Sequence, residues 1–104
     1  MTEPVECLLS IVFPVALEEN LIDHLLEHPE WASGFTCVDV EGRGQAVPLH
    51  GAAEKVKGRS RRRMVQIALS RAQAQALVEH FRAELPHPEV AYWVVPLLEF
   101  GRFA

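Results

Sequence analysis

Basic side chains are concentrated in one internal segment of the 104-residue chain. Residues 42–63 contain seven Lys or Arg residues and a single acidic residue, Glu54, so this segment carries a net charge of +6. The whole chain has a formal net charge of −4, which leaves −10 for the remainder. A basic insert on an acidic body is either a solvated loop or a site for an anion such as phosphate, a nucleotide or an acidic protein surface. Nucleic acid is not expected, because no aromatic residue lies among the arginines and the acidic body would repel a phosphate backbone.

The arginines at the end of this segment are candidate anion ligands, because guanidinium forks match the oxygens of phosphate. They are Arg59, Arg61, Arg62 and Arg63. Alternation along a strand puts Arg61 and Arg63 on one side and Arg62 on the other, so at most two of these three share one ligand. Solvated charges at the edge of a loop are the alternative interpretation.

Two glycines at the start of the segment, Gly42 and Gly44, are further candidates for the ligand site. They either permit a positive φ in a turn or let a ligand approach the backbone closely, and both roles can hold together.

A pair of histidines offers a second kind of chemistry. His24 and His28 are four residues apart in a predicted helix, so both lie on one side of it and their spacing can chelate a divalent metal. Two histidines make half a metal site, and a pair of ordinary surface residues is the alternative. The two cysteines, Cys7 and Cys37, lack the paired spacing of a zinc site and are predicted to be buried, reduced thiols.

No sequence pattern of a known catalytic site is found. Spacings typical of a Ser-His-Asp or Cys-His centre, a P-loop or an HExxH metalloprotease are missing from the sequence. We therefore expect a protein that is not an enzyme.

The elements that would position these residues follow from the apolar pattern. A continuous apolar run predicts a buried first strand over residues 7–13, and apolar residues at helical spacing predict a helix over 17–28. A second strand is predicted over 35–41, a long glycine-rich loop over 42–58 and an alternating third strand over 62–69. Ser70 and Gln73 match a capping box that begins a helix ending near residue 85, and the last strand is predicted over 90–98.

This order of elements predicts an α+β fold of the ferredoxin-like βαββαβ type, with an antiparallel sheet and two helices on one face. We expect one domain over residues 1–104. Both faces of the first and last strands are apolar in sequence, yet two helices can cover only one face of a sheet. Self-association through the open sheet face is therefore expected.

Within this architecture, three stretches of sequence resemble the PII signal-transduction superfamily. Residues 38–45 (VDVEGRGQ) are similar to that family's strand ending in Gly-x-Gly with a glutamine at the base of its loop. Residues 56–62 (VKGRSRR) and 92–96 (YWVVP) are similar to a PII-like branch found near heavy-metal efflux pumps.

The resemblance implies a homotrimer, a long mobile loop at about residues 42–61 and a small anionic ligand in the clefts between subunits, with an adenine nucleotide as first choice. It adds Gln45 to the candidate ligand residues. The loop of nucleotide-binding PII proteins that is rich in glycine and contains lysine has no counterpart in residues 85–89 (LPHPE), so the arginines would hold the phosphates. By the same resemblance, the basic loop would regulate a membrane transporter.

Two other functions stay open. One is a trimer that binds a divalent metal through His24 and His28, similar to the divalent-cation-tolerance proteins of this fold. The other is a small dimeric α/β-barrel enzyme. No apolar run reaches the roughly 20 residues of a membrane span, and residues 1–4 do not begin a secretion signal, so we expect a cytoplasmic protein without membrane insertion.

Overall fold

A computed structural model describes residues 4–44, 50–57 and 60–104 of the chain. It contains four strands and three α-helices. In chain order these are β1 (Cys7–Pro14), α1 (Glu18–Glu27), β2 (Thr36–Gly42), α2 (Gly51–Lys57), β3 (Ser60–Leu69), α3 (Arg71–Glu84) and β4 (Ala91–Pro96). A 3₁₀ turn over Val15–Leu17 leads from β1 into α1.

The four strands form one antiparallel sheet in the order β2-β3-β1-β4. The predicted ferredoxin-like α+β fold is therefore confirmed. The apolar run that predicted a buried first strand becomes β1, which lies between β3 and β4. Strands β2 and β4 are the two edges of the sheet.

The hydrophobic core lies on the face of the sheet that α1 and α3 cover. Alternate residues of β1 and β3 point into it, as period-2 alternation requires. The helices contribute Leu21 and Leu25 from α1 and Ala74 and Leu77 from α3. The strand residues of the core are Cys7, Leu9, Ile11, Phe13, Val65, Ile67 and Leu69.

The capping box predicted for the second amphipathic helix is confirmed at the start of α3. The Ser70 hydroxyl accepts a hydrogen bond from the Gln73 amide at 3.0 Å, and the Gln73 side chain accepts one from the Ser70 amide at 2.9 Å. Together they satisfy two of the backbone donors that a helix start leaves free.

The segment between β2 and β3 differs from its prediction. It was expected to be a loop throughout, but it contains the short helix α2. Seven residues make only two turns, too few for an apolar stripe to show as periodicity in the sequence. Residues 52–55 (AAEK) nevertheless have high intrinsic helix propensity, which favours this local structure.

The opposite face of the sheet carries no helix and presents mainly small and apolar side chains. In β1 and β4 these are Leu8, Ser10, Val12, Ala91, Trp93 and Val95. All six residues of β4 are exposed, and the Trp93 side chain retains 46% of its accessible surface. This face therefore has the apolar character that the sequence predicted.

Candidate functional site

The sheet register fixes where the three consecutive arginines of β3 lie. Arg61 is paired with Glu41 of β2, Arg62 with Val40 and Arg63 with Asp39. Since side chains alternate along a strand, Arg61 and Arg63 share the helix-covered side, whereas Arg62 lies on the other. The predicted division of the three arginines between two sides is confirmed.

Arg63 lies between two carboxylates. Its guanidinium donates from Nε to a carboxylate oxygen of Glu18, at the start of α1, and from Nη1 to Asp39 Oδ1 at 2.6 Å. These hydrogen bonds, with Asp39 first and Glu18 second, raise the pKa of Arg63 above its ordinary value. The charge of this arginine is therefore largely offset within the chain.

Arg62 is only 5% exposed although it lies on the side without helices. Its Nη1 donates to the backbone carbonyl of Glu89 at 3.0 Å. Glu89 belongs to the turn between α3 and β4, so this contact joins the start of β3 to that turn. A buried guanidinium needs such partners, because it cannot lose its charge.

Helix α2 is tied to the same region by two acidic residues. The Glu54 carboxylate accepts hydrogen bonds from the backbone amides of His50 and Arg61, each at 2.8 Å. His50 Nε2 in turn lies 2.8 Å from Glu89 Oε2. The segment before β3 and the turn before β4 thus meet around Glu54 and Glu89.

Arg61 is the arginine of β3 that faces solvent. Its side chain is exposed, and within residues 4–44, 50–57 and 60–104 its guanidinium has no hydrogen-bond or ion-pair partner. Arg43, just after β2, is exposed and forms an ion pair with Glu41 at 3.0 Å. Of the three arginines of β3, Arg61 is therefore the one most available to an incoming anion.

The two candidate glycines have different surroundings. Gly44 has φ of +110°, a conformation that L side chains rarely adopt, and a Cβ there would meet nothing within 4 Å. The turn itself therefore explains this glycine. Gly42 is the last residue of β2, opposite Ser60. The other two predicted ligand residues, Gln45 and Arg59, lie outside the described residues.

An apolar cleft of about 400 Å³ opens beside the turn that contains Glu89. Its walls include Leu77 and Phe81 of α3 and Tyr92 of β4, and Pro86 and Val90 close its end. This volume falls in the range of small-molecule sites in proteins. The wall also includes Arg82, and no feature of the sequence indicated this cleft.

The candidate metal pair lies against a third histidine: His24 is in the last turn of α1, and His28 is the C-cap just beyond that helix. His80 of α3 approaches His24 with 3.3 Å between Nε2 and Nδ1, and its ring centroid lies 4.4 Å from that of His28. His80 was missed by the sequence analysis, because it is 56 residues from His24 and shares no local spacing with it. As the side chains stand, no group of three or more His, Cys, Asp or Glu residues in the described ranges is placed to hold a metal ion.

The two cysteines are free thiols. Cys7 is buried as predicted, and its burial, followed by the nearby Glu6 charge, raises the pKa of the thiol. Cys37 is only partly buried, so the prediction that both thiols are buried was wrong for this residue. It lies on the edge strand β2, where no further strand covers it.

A family model matches almost the whole chain, over residues 3–104. Its description is a protein of unknown function, DUF3240. The chain belongs to the DUF3240 family. No curated protein matches it.

Solved structures with the same fold include a member of this family. The DUF3240 protein of Shewanella baltica OS155 has a TM-score of 0.73 and 20% identity, over 98% of this chain and 100% of that one. The PII-like nitrogen regulatory protein CPII of Thiomonas intermedia K12, bound to ADP, AMP and bicarbonate, has a TM-score of 0.67 and 22% identity, over 95% of this chain and 96% of that one. CutA of Synechococcus elongatus PCC7942 has a TM-score of 0.67 and 10% identity, over 94% of this chain and 85% of that one.

These likenesses confirm the predicted resemblance to the PII-like superfamily at the level of the fold. In the described part of the chain, no helix has the length and apolar character needed to cross a membrane.

Proposed function

We propose that this DUF3240 protein is a PII-like regulatory protein that senses a small anionic ligand and has no enzymatic activity. The contact between the base of the β2–β3 segment and the turn before β4 carries this proposal. Arg62 and His50 both reach Glu89 there, and Arg61, on the other side of β3, faces solvent. A cationic edge next to a small-molecule cleft suits a ligand with one apolar end and one anionic end.

An adenine nucleotide is the first choice among such ligands. The apolar cleft between α3 and β4 would take the base, with Tyr92 and Phe81 in its walls. Arg61 would hold phosphate oxygens, assisted by Arg59. Arg62, on the other side of β3, would hold the turn at Glu89, and Arg63 is already engaged by Glu18 and Asp39. Gly42, Gly44 and Gln45 would line the approach. Support comes from the fold shared with CPII, whose structure is bound to ADP and AMP.

The site would lie in a cleft between subunits of a homotrimer. The sheet face without helices presents Trp93, Val95 and Leu8, and its edge strand β4 is exposed along its whole length. Three copies of this chain that pack these faces together would bury that apolar surface.

The regulated partner would be a protein with an acidic cytoplasmic surface, and a membrane transporter for heavy metals is the first candidate. The +6 charge of residues 42–63 would steer the segment to such a surface. The ion pair between His50 and Glu89 would link ligand and partner, because a phosphate that competes for the cations near Glu89 changes how α2 is held.

Calorimetric titration of the protein with AMP, ADP and ATP tests the ligand. Arg61→Ala is expected to weaken the binding of the tightest of the three by about tenfold, since a hydrogen bond to a charged group contributes roughly 1.5–3 kcal/mol.

Arg71→Ala is the matched control for Arg61→Ala. It also removes an exposed arginine, but from the start of α3, at the opposite end of the sheet. If the nucleotide affinity is unchanged in both variants, Arg61 does not contribute to nucleotide binding. If none of the three nucleotides gives a heat of binding with the wild type, residues 42–63 would bind a partner protein only, and the proposal of a nucleotide ligand would be wrong.

A further inference from the structure

Three histidine rings meet where α1 packs beside α3, away from the three arginines of β3. His24 lies in the last turn of α1, His28 caps the C-terminal end of that helix, and His80 comes from α3. The His80 ring centroid lies 5.5 Å from that of His24 and 4.4 Å from that of His28. His80 therefore supplies the third imidazole that the pair His24 and His28 lacked in the sequence.

The spacing between two of the nitrogens is the one that a tetrahedral metal ion imposes. His24 Nδ1 and His80 Nε2 are 3.3 Å apart. Zinc binds imidazole nitrogen at about 2.0–2.1 Å, so two nitrogens at a tetrahedral angle around one ion are separated by roughly 3.3–3.4 Å. An ion can thus replace the hydrogen bond between these two rings without a change in their separation, once the rings turn so that both lone pairs point at it.

We infer that His24, His28 and His80 form a binding site for a divalent transition-metal ion of the class that prefers imidazole nitrogen, with zinc as its reference ion. His24 and His80 are the pair already spaced for the ion. His28 becomes the third ligand when its ring rotates, which is why the three side chains as they stand do not yet form a group placed to hold a metal. The fourth position is left to water.

The residues around His28 leave a suitable nitrogen for the metal. Its Nδ1 lies 2.9 Å from Glu30 Oε2, and a carboxylate can only accept, so Nδ1 carries a proton; in the neutral imidazole Nε2 then keeps its lone pair for the metal. A carboxylate on the far nitrogen of a histidine ligand is the usual outer partner in metal sites. The Trp31 ring stacks on His28 with 4.6 Å between centroids, which limits the directions in which the imidazole can turn.

The scaffold under the site is rigid, and the site is open to solvent. Leu25 and Leu77, each only 1% exposed, anchor the two helices in the core. The His28 side chain retains 27% of its accessible surface, so an ion can enter without opening the fold. This inference does not depend on the proposed nucleotide site, because it shares no residue with it.

Zinc chloride titrated into the full chain in a buffer that does not bind metal tests the inference. We expect one saturable site per chain, and a loss of affinity of at least about tenfold in His24→Ala and in His80→Ala, since even outer-partner changes cost 10–100-fold. Glu30→Gln should weaken binding less than either. His87→Ala is the matched control, because His87 is an exposed histidine of the turn before β4.

A second measurement keeps the test decisive if truncation of His80 harms folding. His80→Gln keeps a polar side chain beside Trp31 and Phe81, and its fold is compared with the wild type by circular dichroism. Cobalt(II) in place of zinc should give the visible bands of a tetrahedral ion with the wild type and lose them with folded His80→Gln. Equal zinc affinity in the wild type and the His24 and His80 variants, or no saturable binding to the wild type, would overturn the inference and leave an aromatic packing cluster.

Discussion

Three successive residues of the same type have three different surroundings in this protein. The Arg61 side chain is exposed, Arg62 is buried under the Glu89 carbonyl, and Arg63 is held by two carboxylates. The charge count of the segment therefore overstates the positive charge available to a ligand, because Glu18 and Asp39 offset Arg63. Which side of β3 each arginine occupies follows from alternation, but its partners come from other elements.

At the same scale, the two thiols should differ in reactivity. Burial raises the pKa of Cys7, and the thiolate is the reactive form, so iodoacetamide should modify Cys7 much more slowly than Cys37 in the folded protein. The folded state holds the Cys7 proton more tightly than the unfolded chain does. The contribution of this thiol to stability is therefore present at neutral pH, below the ordinary thiol pKa, and declines as pH rises through the raised value.

Mass spectrometry of peptides after timed labelling measures the two rates. A Cys37→Ser variant isolates the slow reaction of Cys7, and labelling in denaturant provides the fast reference. Equal rates for the two cysteines in the folded wild type would contradict the placement of Cys7 in the core.

At the scale of elements, local signals set where helices begin and end. The capping box of Ser70 and Gln73 fixes the start of α3, and the proline at position 86 lies just beyond its end. Strand β3 begins two residues earlier than its alternation predicted, because the segment from Ser60 pairs with β2 as far as Gly42. Pairing across strands, which the sequence of one strand does not contain, decides such boundaries.

Removal of the cap should destabilise the whole fold. Ser70→Ala leaves the Gln73 amide without its partner and is expected to lower the free energy of unfolding by about 1 kcal/mol. Urea unfolding followed by circular dichroism measures the change. Ser33→Ala, which changes an exposed serine outside the helices, serves as the control and should have little effect. A loss as small in Ser70→Ala as in the control would show that the capping box contributes little to stability.

At the scale of the whole molecule, one sheet face is covered by helices and the other carries none in the described part of the chain. The largest exposed side chain on the face without helices is Trp93, which is paired with the buried Ser10 of β1. An exposed tryptophan among aliphatic neighbours is typical of an interface between proteins.

If three copies meet through this face, Trp93→Glu should dissociate them, because it places an unpaired charge in an apolar interface. Size-exclusion chromatography with light scattering should give a mass of three chains for the wild type and about one chain of 11.7 kDa for the variant. Leu26→Glu is the control, since Leu26 is 64% exposed on α1, away from the sheet. A wild-type monomer would refute association through this face, and a dimer would favour the α/β-barrel enzymes.

The sequence by itself determined the order of all elements except α2, the fold class, the α3 cap, the apolar open face and the sidedness of the arginines. All of these depend on local patterns: a period of 2 or 3.6 residues, a cap four residues long, or a charged segment. Division of the chain into one domain, and the roles of the candidate ligand residues, stay predictions.

The tertiary structure alone decided which distant residues meet. It brought His80 to His24 across 56 residues, Asp39 and Glu18 to Arg63, and Glu89 to Arg62. Such contacts depend on strand register and on how two helices pack over one sheet face, and no short stretch of sequence contains either. The sequence did not predict the helix α2, because two turns are too short to show an apolar period. The Glu54 carboxylate supports this helix by accepting hydrogen bonds from the backbone amides of His50 and Arg61, one on each side of it.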